Sequence, residues 1–333
     1  MCSLSNDLVT PESFGETFLN GKPETIYAQC VKEFKEMISL QQFTELVRDF
    51  NAGVEHYAIN STSMIGFQTQ YVWLDSRQEK AVCVVFDSVH QIHRLLIKPY
   101  LTFPKSDQRY TQNLYTMPIQ EEWFVFWGGK DEFLNYHYLY ESQRYAYDLI
   151  MMKNYQSYKD NPMRNENYYA FNQEVVAPAN GQIVKVINHL KDNVPGEMDE
   201  TQPAGNYVVI KHLNNEYSLL AHFKQNSIQP KEGELVQQGQ FIGLCGNSGN
   251  SSEPHIHFQV MDSPDLNTCK SICIRFADGT EPVQGDTVSL MTPDNDSGRS
   301  QSKGLDKFDK AEIAFSFTDV LLIIPRLFAQ LFK

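Results

Sequence analysis

At 333 residues, with 41% hydrophobic and 12% aromatic side chains, the chain is long enough for two domains and apolar enough for a sizeable core. Its net charge of -13 speaks against a nucleic-acid backbone as partner, because such binding is driven by clustered Lys and Arg; a cationic, peptide-like substrate is compatible with it. Cys2, Cys30, Cys83, Cys245, Cys269 and Cys273 are scattered without the pattern of a disulfide framework, and free buried thiols are expected.

The N-terminal stretch MCSLSNDLVTPESF lacks a basic region followed by an apolar one, so no secretory signal is read and these residues alone predict a cytoplasmic protein. From residue 11 to about 52 the pattern is helical. Thr10 or Ser13 can cap the first segment, Pro23 opens a second, and Leu40 to Phe50 forms a third that stops before Gly53. The period then changes. Strands are predicted at Tyr57–Ile59, Ser63–Leu74, Ala81–Phe86 and Ile92–Ile97, with turns near Asn60 and at Asp75-Ser76-Arg77. Helices followed by a meander indicate an α+β domain over residues 1–100. Its His56, His90 and His93 have no carboxylate or cysteine at ligand spacing and are read as surface or hydrogen-bonded residues.

Residues 101–117 are polar and proline-marked, as an interdomain linker is. A second domain is predicted over residues 118–278, beginning with a strand at Glu122–Trp127. Further on, two stretches carry histidines. The strand Tyr217-Ser218-Leu219-Leu220-Ala221-His222 ends in an imidazole, and Gly239–Met261 reads as two strands joined by a Gly/Asn/Ser-rich connection, the second carrying Pro254-His255-Ile256-His257-Phe258. Side chains alternate along a strand, so His255 and His257 share a face and can converge on one metal ion or one substrate atom. Beyond Phe276, residues 279–309 look like a flexible tether. Residues 310–333 form an apolar stretch broken by Asp319, Pro325 and Arg326, expected as an amphipathic helix that docks on another domain or makes peripheral membrane contact rather than spanning.

Together, VVAPANGQIVKV, GNYVVIKHLNNEYSLLAHF and GELVQQGQFIGLCGNSGNSSEPHIHF resemble the core of the LytM/lysostaphin-type zinc metallopeptidases, over roughly residues 115–280. The resemblance implies a mainly β domain with the antiparallel sheet core of that family, a duplicated hybrid motif, holding one zinc ion. It implies that His257 is a zinc ligand and that His222 and His255 are catalytic. Asp148 takes the aspartate place of the family's H-x-x-x-D ligand pair, but Arg144 stands where that pair has its histidine. A guanidinium stays protonated and offers no lone pair to a metal. The helical and stranded order of the first domain is similar to cone-shaped domains related to nuclear transport factor two.

Two readings follow from Arg144. In one, the site is degenerate and the domain binds wall peptide or a partner hydrolase without cutting. In the other, His137 supplies the missing imidazole. If Leu134–Tyr140 and Gln143–Ile150 form a hairpin closed by Glu141-Ser142, His137 lies opposite Ala146 and diagonal to Asp148, at roughly 7–8 Å between Cα atoms. Arg144 then reaches substrate carboxylates or the oxyanion, and Tyr145, Tyr147 and Tyr168 are candidate substrate contacts. The expected activity is amide hydrolysis in peptidoglycan stem peptides or cross-bridges, or in another peptide substrate, which implies a cell-wall or extracellular location. His189 and His212 match no catalytic place and are read as surface residues.

Overall fold

The computed structural model describes residues 8–289. They divide into two compact units: residues up to Pro104 together with Asp131–Tyr136, and Lys105–Lys130 with the residues from His137 onward.

In the first unit, Pro11 and Pro23 open α1 (Pro11–Leu19) and α2 (Pro23–Gln29), where the ring presets φ and the missing N–H has no helical partner to lose. α3 (Lys32–Met37) and α4 (Leu40–Phe50) follow. Ser39 caps α4: its Oγ accepts from Gln42 N at 3.3 Å while Gln42 Oε1 accepts from Ser39 N at 3.0 Å. Strands β1 (Tyr57–Ile65), β2 (Gln68–Asp75), β3 (Lys80–Phe86) and β4 (Ile92–Pro99) pair antiparallel in chain order. The single strand expected over Ser63–Leu74 is two, because Gly66 takes φ 61° and turns the chain; the turn expected near Asn60 is a bulge between Ile59 and Ser61. Phe14, Phe18, Ile26 and Phe43 from the helices pack on Trp73, Val84 and Phe86, while Val72, Leu74 and Cys83 on the other face meet Phe133. His56 is exposed, and His93 Nε2 lies 3.0 Å from Asp87.

The second unit is mainly β. Its strands are β5 (Trp123–Trp127), β6 (Tyr147–Ile150), β7 (Glu174–Val176), β8 (Gly181–Ile187), β9 (Asn206–Lys211), β10 (Tyr217–Phe223), β11 (Leu235–Val236), β12 (Phe241–Leu244), β13 (Ile256–Met261) and β14 (Thr287–Val288). Among the described residues they form an antiparallel sheet in the order β11-β8-β9-β10-β13-β6-β5-β14 and a separate pair, β12-β7. One face buries Val125, Leu149, Val208, Leu220, Phe223, Ile256, Phe258 and Val260. Burial of this apolar surface, at about 25 cal/mol per Å2, is the main force holding the sheet.

Two predicted boundaries move. The stretch read as a linker contributes Tyr115 and Met117 to this core, and buried Glu216 accepts from the N–H groups of Gln112 and Asn113 and from Tyr115 Oη. Polar composition hid this, because four of the segment's donors end on that single carboxylate. At the other end, residues 279–289 are not a tether: β14 extends the sheet by pairing with β5. Residues 290–309 and the predicted C-terminal helix lie outside the described residues.

Cys30, Cys83, Cys245, Cys269 and Cys273 are free and buried. His189 is exposed as expected, but His212 is buried, with Nδ1 2.8 Å from Asn180 O and Nε2 2.8 Å from Ser218 Oγ. A strand end next to a turn can still be covered when its polar atoms find such partners.

Candidate metal centre

Three neighbouring strands build the site. On β13, Ile256, Phe258 and Val260 point into the core, so His257 and Gln259 project from the opposite face. His257 lies directly across from Asp148 on β6 and from Ala221 on β10. Tyr147 and Leu149 flank Asp148 and go into the core, which puts Asp148 on the same face as His257.

His222 reaches that face by breaking the alternation. Regular pleating would point it into the core behind Leu220. Instead the pairing with β9 slips between Ala221 and Phe223, and His222 adopts φ 69°, a conformation strained for a side chain of this size. The bulge lets Ala221 and His222 both stay on the site face and returns Phe223 to the core. Backbone strain of this kind persists where surroundings enforce it. Here they do so through Ser248, whose carbonyl lies 2.8 Å from His222 Nδ1.

His137 arrives by a different route from the predicted hairpin. Residues 131–146 wind through consecutive turns, with Asn135 N bonded to Asp131 O, Tyr140 N to His137 O and Ala146 N to Gln143 O, and His137 sits in a single 3-10 turn, Tyr136–Leu139. The alternating tyrosines of this stretch imitate a strand in sequence. Arg144, expected to face substrate, is buried, and its Nε donates to Tyr138 O at 3.0 Å, within the turn that carries His137. Tyr145 is buried with its hydroxyl donating to Asp107 at 2.8 Å, Tyr147 packs in the core against Phe276, and buried Tyr168 donates to Pro162 O at 2.9 Å. The tyrosines expected in the groove are thus packing residues.

The result is a compact cluster. His137 Nε2 lies 3.0 Å from Asp148 Oδ2, His257 Nδ1 lies 2.9 Å from Asp148 Oδ1, and one donor atom from each of the three falls within 4.8 Å of the others. His255 Nε2 stands 3.8 Å from Asp148 Oδ1, and the His222 and His255 rings are 4.6 Å apart. His255 Nδ1 lies 2.8 Å from Glu253 O and 3.1 Å from Ser251 Oγ. A carbonyl can only accept, so Nδ1 of both His222 and His255 carries a proton and Nε2 faces the cluster.

Burial works against the charge of Asp148, but His137 and His255, with the hydrogen bonds from His137 and His257, hold it ionised well below the usual carboxylate range. Burial also lowers His257, and the hydrogen bond and charge of Asp148 overcome this and raise it. Burial carries His137 below its ordinary value against the pull of Asp148, and carries His222 far below, helped by His255 and His257. A carboxylate and two imidazoles at this separation are the donor set of a three-ligand zinc site with an open position. Gln259 was not singled out from the sequence, although the alternation that pairs His255 with His257 puts it on the same face.

Fold and cluster together define an antiparallel β domain with a candidate metal site on one face of its sheet. Residues 168–268 match the model of peptidase family M23, and that part of the chain is an M23 domain. The matched span includes His222, His255 and His257, whereas His137 and Asp148 precede it. Among curated relatives, peptidoglycan DD-endopeptidase ShyA of Vibrio cholerae is 43% identical over 58 residues, 17% of this chain and 13% of that one. An uncharacterized metalloprotease of Haemophilus influenzae is 31% identical over 85 residues, 26% of this chain and 15% of that one. The chain thus spans only a small part of the length of these relatives. The catalytic domain of lysostaphin from Staphylococcus simulans superposes with a TM-score of 0.27 at 20% identity, over 46% of this chain and 88% of that one.

Proposed function

We propose that this chain is a zinc-dependent peptidase that cuts peptide bonds in peptidoglycan stem peptides or cross-bridges. The observation that carries the proposal is the convergence of His137, Asp148 and His257 on one point, with His222 and His255 alongside. The M23 match over residues 168–268 and the names of the Vibrio cholerae relatives support the substrate class. Such a substrate implies action at the cell wall.

His137 Nε2, Asp148 and His257 Nδ1 are the groups that would hold the ion. The chemistry zinc supplies in such a site is polarisation of the scissile carbonyl and acidification of water toward a pKa of about 7. His222, kept neutral by burial and tied through Nδ1 to Ser248 O, presents a free Nε2 lone pair that accepts the proton of the attacking water and returns it to the leaving amine. His255, tied through Nδ1 to Glu253 O, is held with its ring edge toward Asp148, beside the place where the oxyanion of the tetrahedral intermediate would form. Arg144, bonded to Tyr138 O, anchors the turn and takes no part in proton transfer.

The competing reading is a module that binds wall peptide without cutting it. Zinc content of the purified chain, with mass-spectrometric analysis of purified peptidoglycan after incubation, separates the two. The peptidase reading expects about one zinc per chain, cleaved peptides, and loss of both in His137→Ala. Peptidoglycan binding with no cleavage in the zinc-loaded chain would establish the module instead.

A further inference from the structure

We infer that Gln259 is a positioning residue for metal binding: it fixes the tautomer and ring orientation of His257 and ties the strand bearing His257 to the loop bearing His137. The inference rests on the reading of the His137–Asp148–His257 cluster as a metal site and goes beyond the three donors themselves.

The reasoning begins at a backbone carbonyl. Gln259 is 1% exposed, and one end of its amide lies 3.0 Å from Ser142 O. A carbonyl accepts only, so this end is the NH2 group, and the other end, 2.9 Å from His257 Nε2, is the amide oxygen. That oxygen in turn requires a proton on Nε2. His257 is therefore left with Nδ1 as its only available ligand atom, and Nδ1 faces Asp148 at 2.9 Å. Gln259 thus converts the position of the Ser142 carbonyl into the choice of ligating nitrogen on His257.

The same amide joins two stretches of chain that the site must hold together. Ser142 lies in the turns between His137 and Asp148, and Gln259 lies two residues after His257 on β13. Neighbouring bonds support the link: Ser271 N donates to Glu141 O at 2.9 Å, and Tyr145 N donates to Ser271 Oγ at 3.1 Å. Outer partners of metal-bound histidines act in this way, and losing one weakens metal affinity by about 10- to 100-fold. An amide oxygen also polarises the imidazole less than a carboxylate does, so this site has a moderately rather than maximally basic ligand.

The test uses the full chain, with zinc affinity measured by competition against a chromophoric chelator and the ligating nitrogen of His257 read from 15N chemical shifts of the zinc-loaded protein. The wild type is expected to coordinate through Nδ1 with a slowly exchanging Nε2–H. Gln259→Leu is expected to bind zinc about 10- to 100-fold more weakly. Gln259→Glu keeps an acceptor on Nε2 while losing the donor to Ser142 O and is expected to bind about ten times more tightly than the Leu variant; it also carries the test if Gln259→Leu does not fold, since coordination of zinc through Nε2 of His257 in the Glu variant counts against the inference. Equal affinity of wild type and Gln259→Leu, or coordination through Nε2 in the wild type, overturns the role of Gln259 while leaving the zinc site standing. A wild-type chain that binds no zinc overturns the metal reading and this inference with it.

Discussion

Gly205→Ala tests how the site's strained histidine is held. Gly205 has φ 59°, and a Cβ placed there stands 2.3 Å from Ser248 O. The left-handed conformation costs an L-residue about 1–2 kcal/mol, and overpacking against a group that cannot turn aside costs about 1–3 kcal/mol. Together these give a loss of about 2–5 kcal/mol, or roughly 5–15 °C in Tm for a domain of this size. Gly233→Ala supplies the control, because Gly233 has φ 90° with nothing within 4 Å of its Cβ position; it bears the conformational term alone and loses about 1–2 kcal/mol. Thermal unfolding of the metal-free proteins by circular dichroism measures both. Ser248 O is also the partner of His222 Nδ1 at 2.8 Å, so under the peptidase proposal the Gly205 variant additionally loses peptide cleavage while the Gly233 variant keeps it. Equal falls in Tm for the two variants would show that the contact with Ser248 is not tight and refute the reasoning.

Three further outcomes are expected. In the metal-free chain Glu253, pushed up to about 7 by burial, adds stability as the pH falls from 7 toward 5, read from urea midpoints. Over the same range His137, His212 and His222 each take stability away, because burial lowers them and the unfolded chain takes up protons below about 6.5 that the fold does not. His257, raised by Asp148, acts in the opposite sense, its contribution complete below about 6.5 and lost as the pH climbs through its raised value. His212→Gln, away from the cluster, removes one of the destabilising contributions, and a variant whose midpoint depends on pH as the wild type's does contradicts the assignment. Glu216→Ala strands the donors of Gln112, Asn113 and Tyr115 and lowers stability by about 3 kcal/mol; a loss under about 1 kcal/mol, the size of a surface change, would mean the segment is held by other contacts. A bulky thiol reagent leaves Cys30, Cys83, Cys245, Cys269 and Cys273 unmodified until denaturant is added, since burial pushes Cys30 up to about 12 and Cys83 up to about 11; labelling of the native chain at any of the five counts against their burial.

Much of the β domain could be read from its residues because period and spacing are local. Val175–Val186, Asn206–Lys211 and Tyr217–His222 alternate or run apolar as strands do, and His255-x-His257 fixes its own shared face. What could not be read was set by distant partners. His137 meets Asp148, but a succession of local turns rather than strand pairing brings it there, and those turns are anchored by distant groups, Ser271 N on Glu141 O and Gln259 Nε2 on Ser142 O. The residues around Tyr115 look like linker until Glu216, about a hundred positions away, is seen gathering their donors. Tyr145 and Tyr147 resemble groove aromatics in composition, yet Asp107 and Phe276 hold them inside. The bulge at His222 has no signature at all in the string Leu-Ala-His-Phe; only the slipped register reveals it.

The central position of the three site-bearing strands has a consequence for how the protein breathes. With β9, β8 and β11 on one side of β10-β13-β6 and β5 and β14 on the other, fraying starts at margins that hold no donor atom. Amide hydrogens of β13 should accordingly exchange only through global opening, while those of β11 and β14 exchange readily. Insertions and sequence drift at the rim can reshape what the domain grips without altering the spacing between Asp148 and His257.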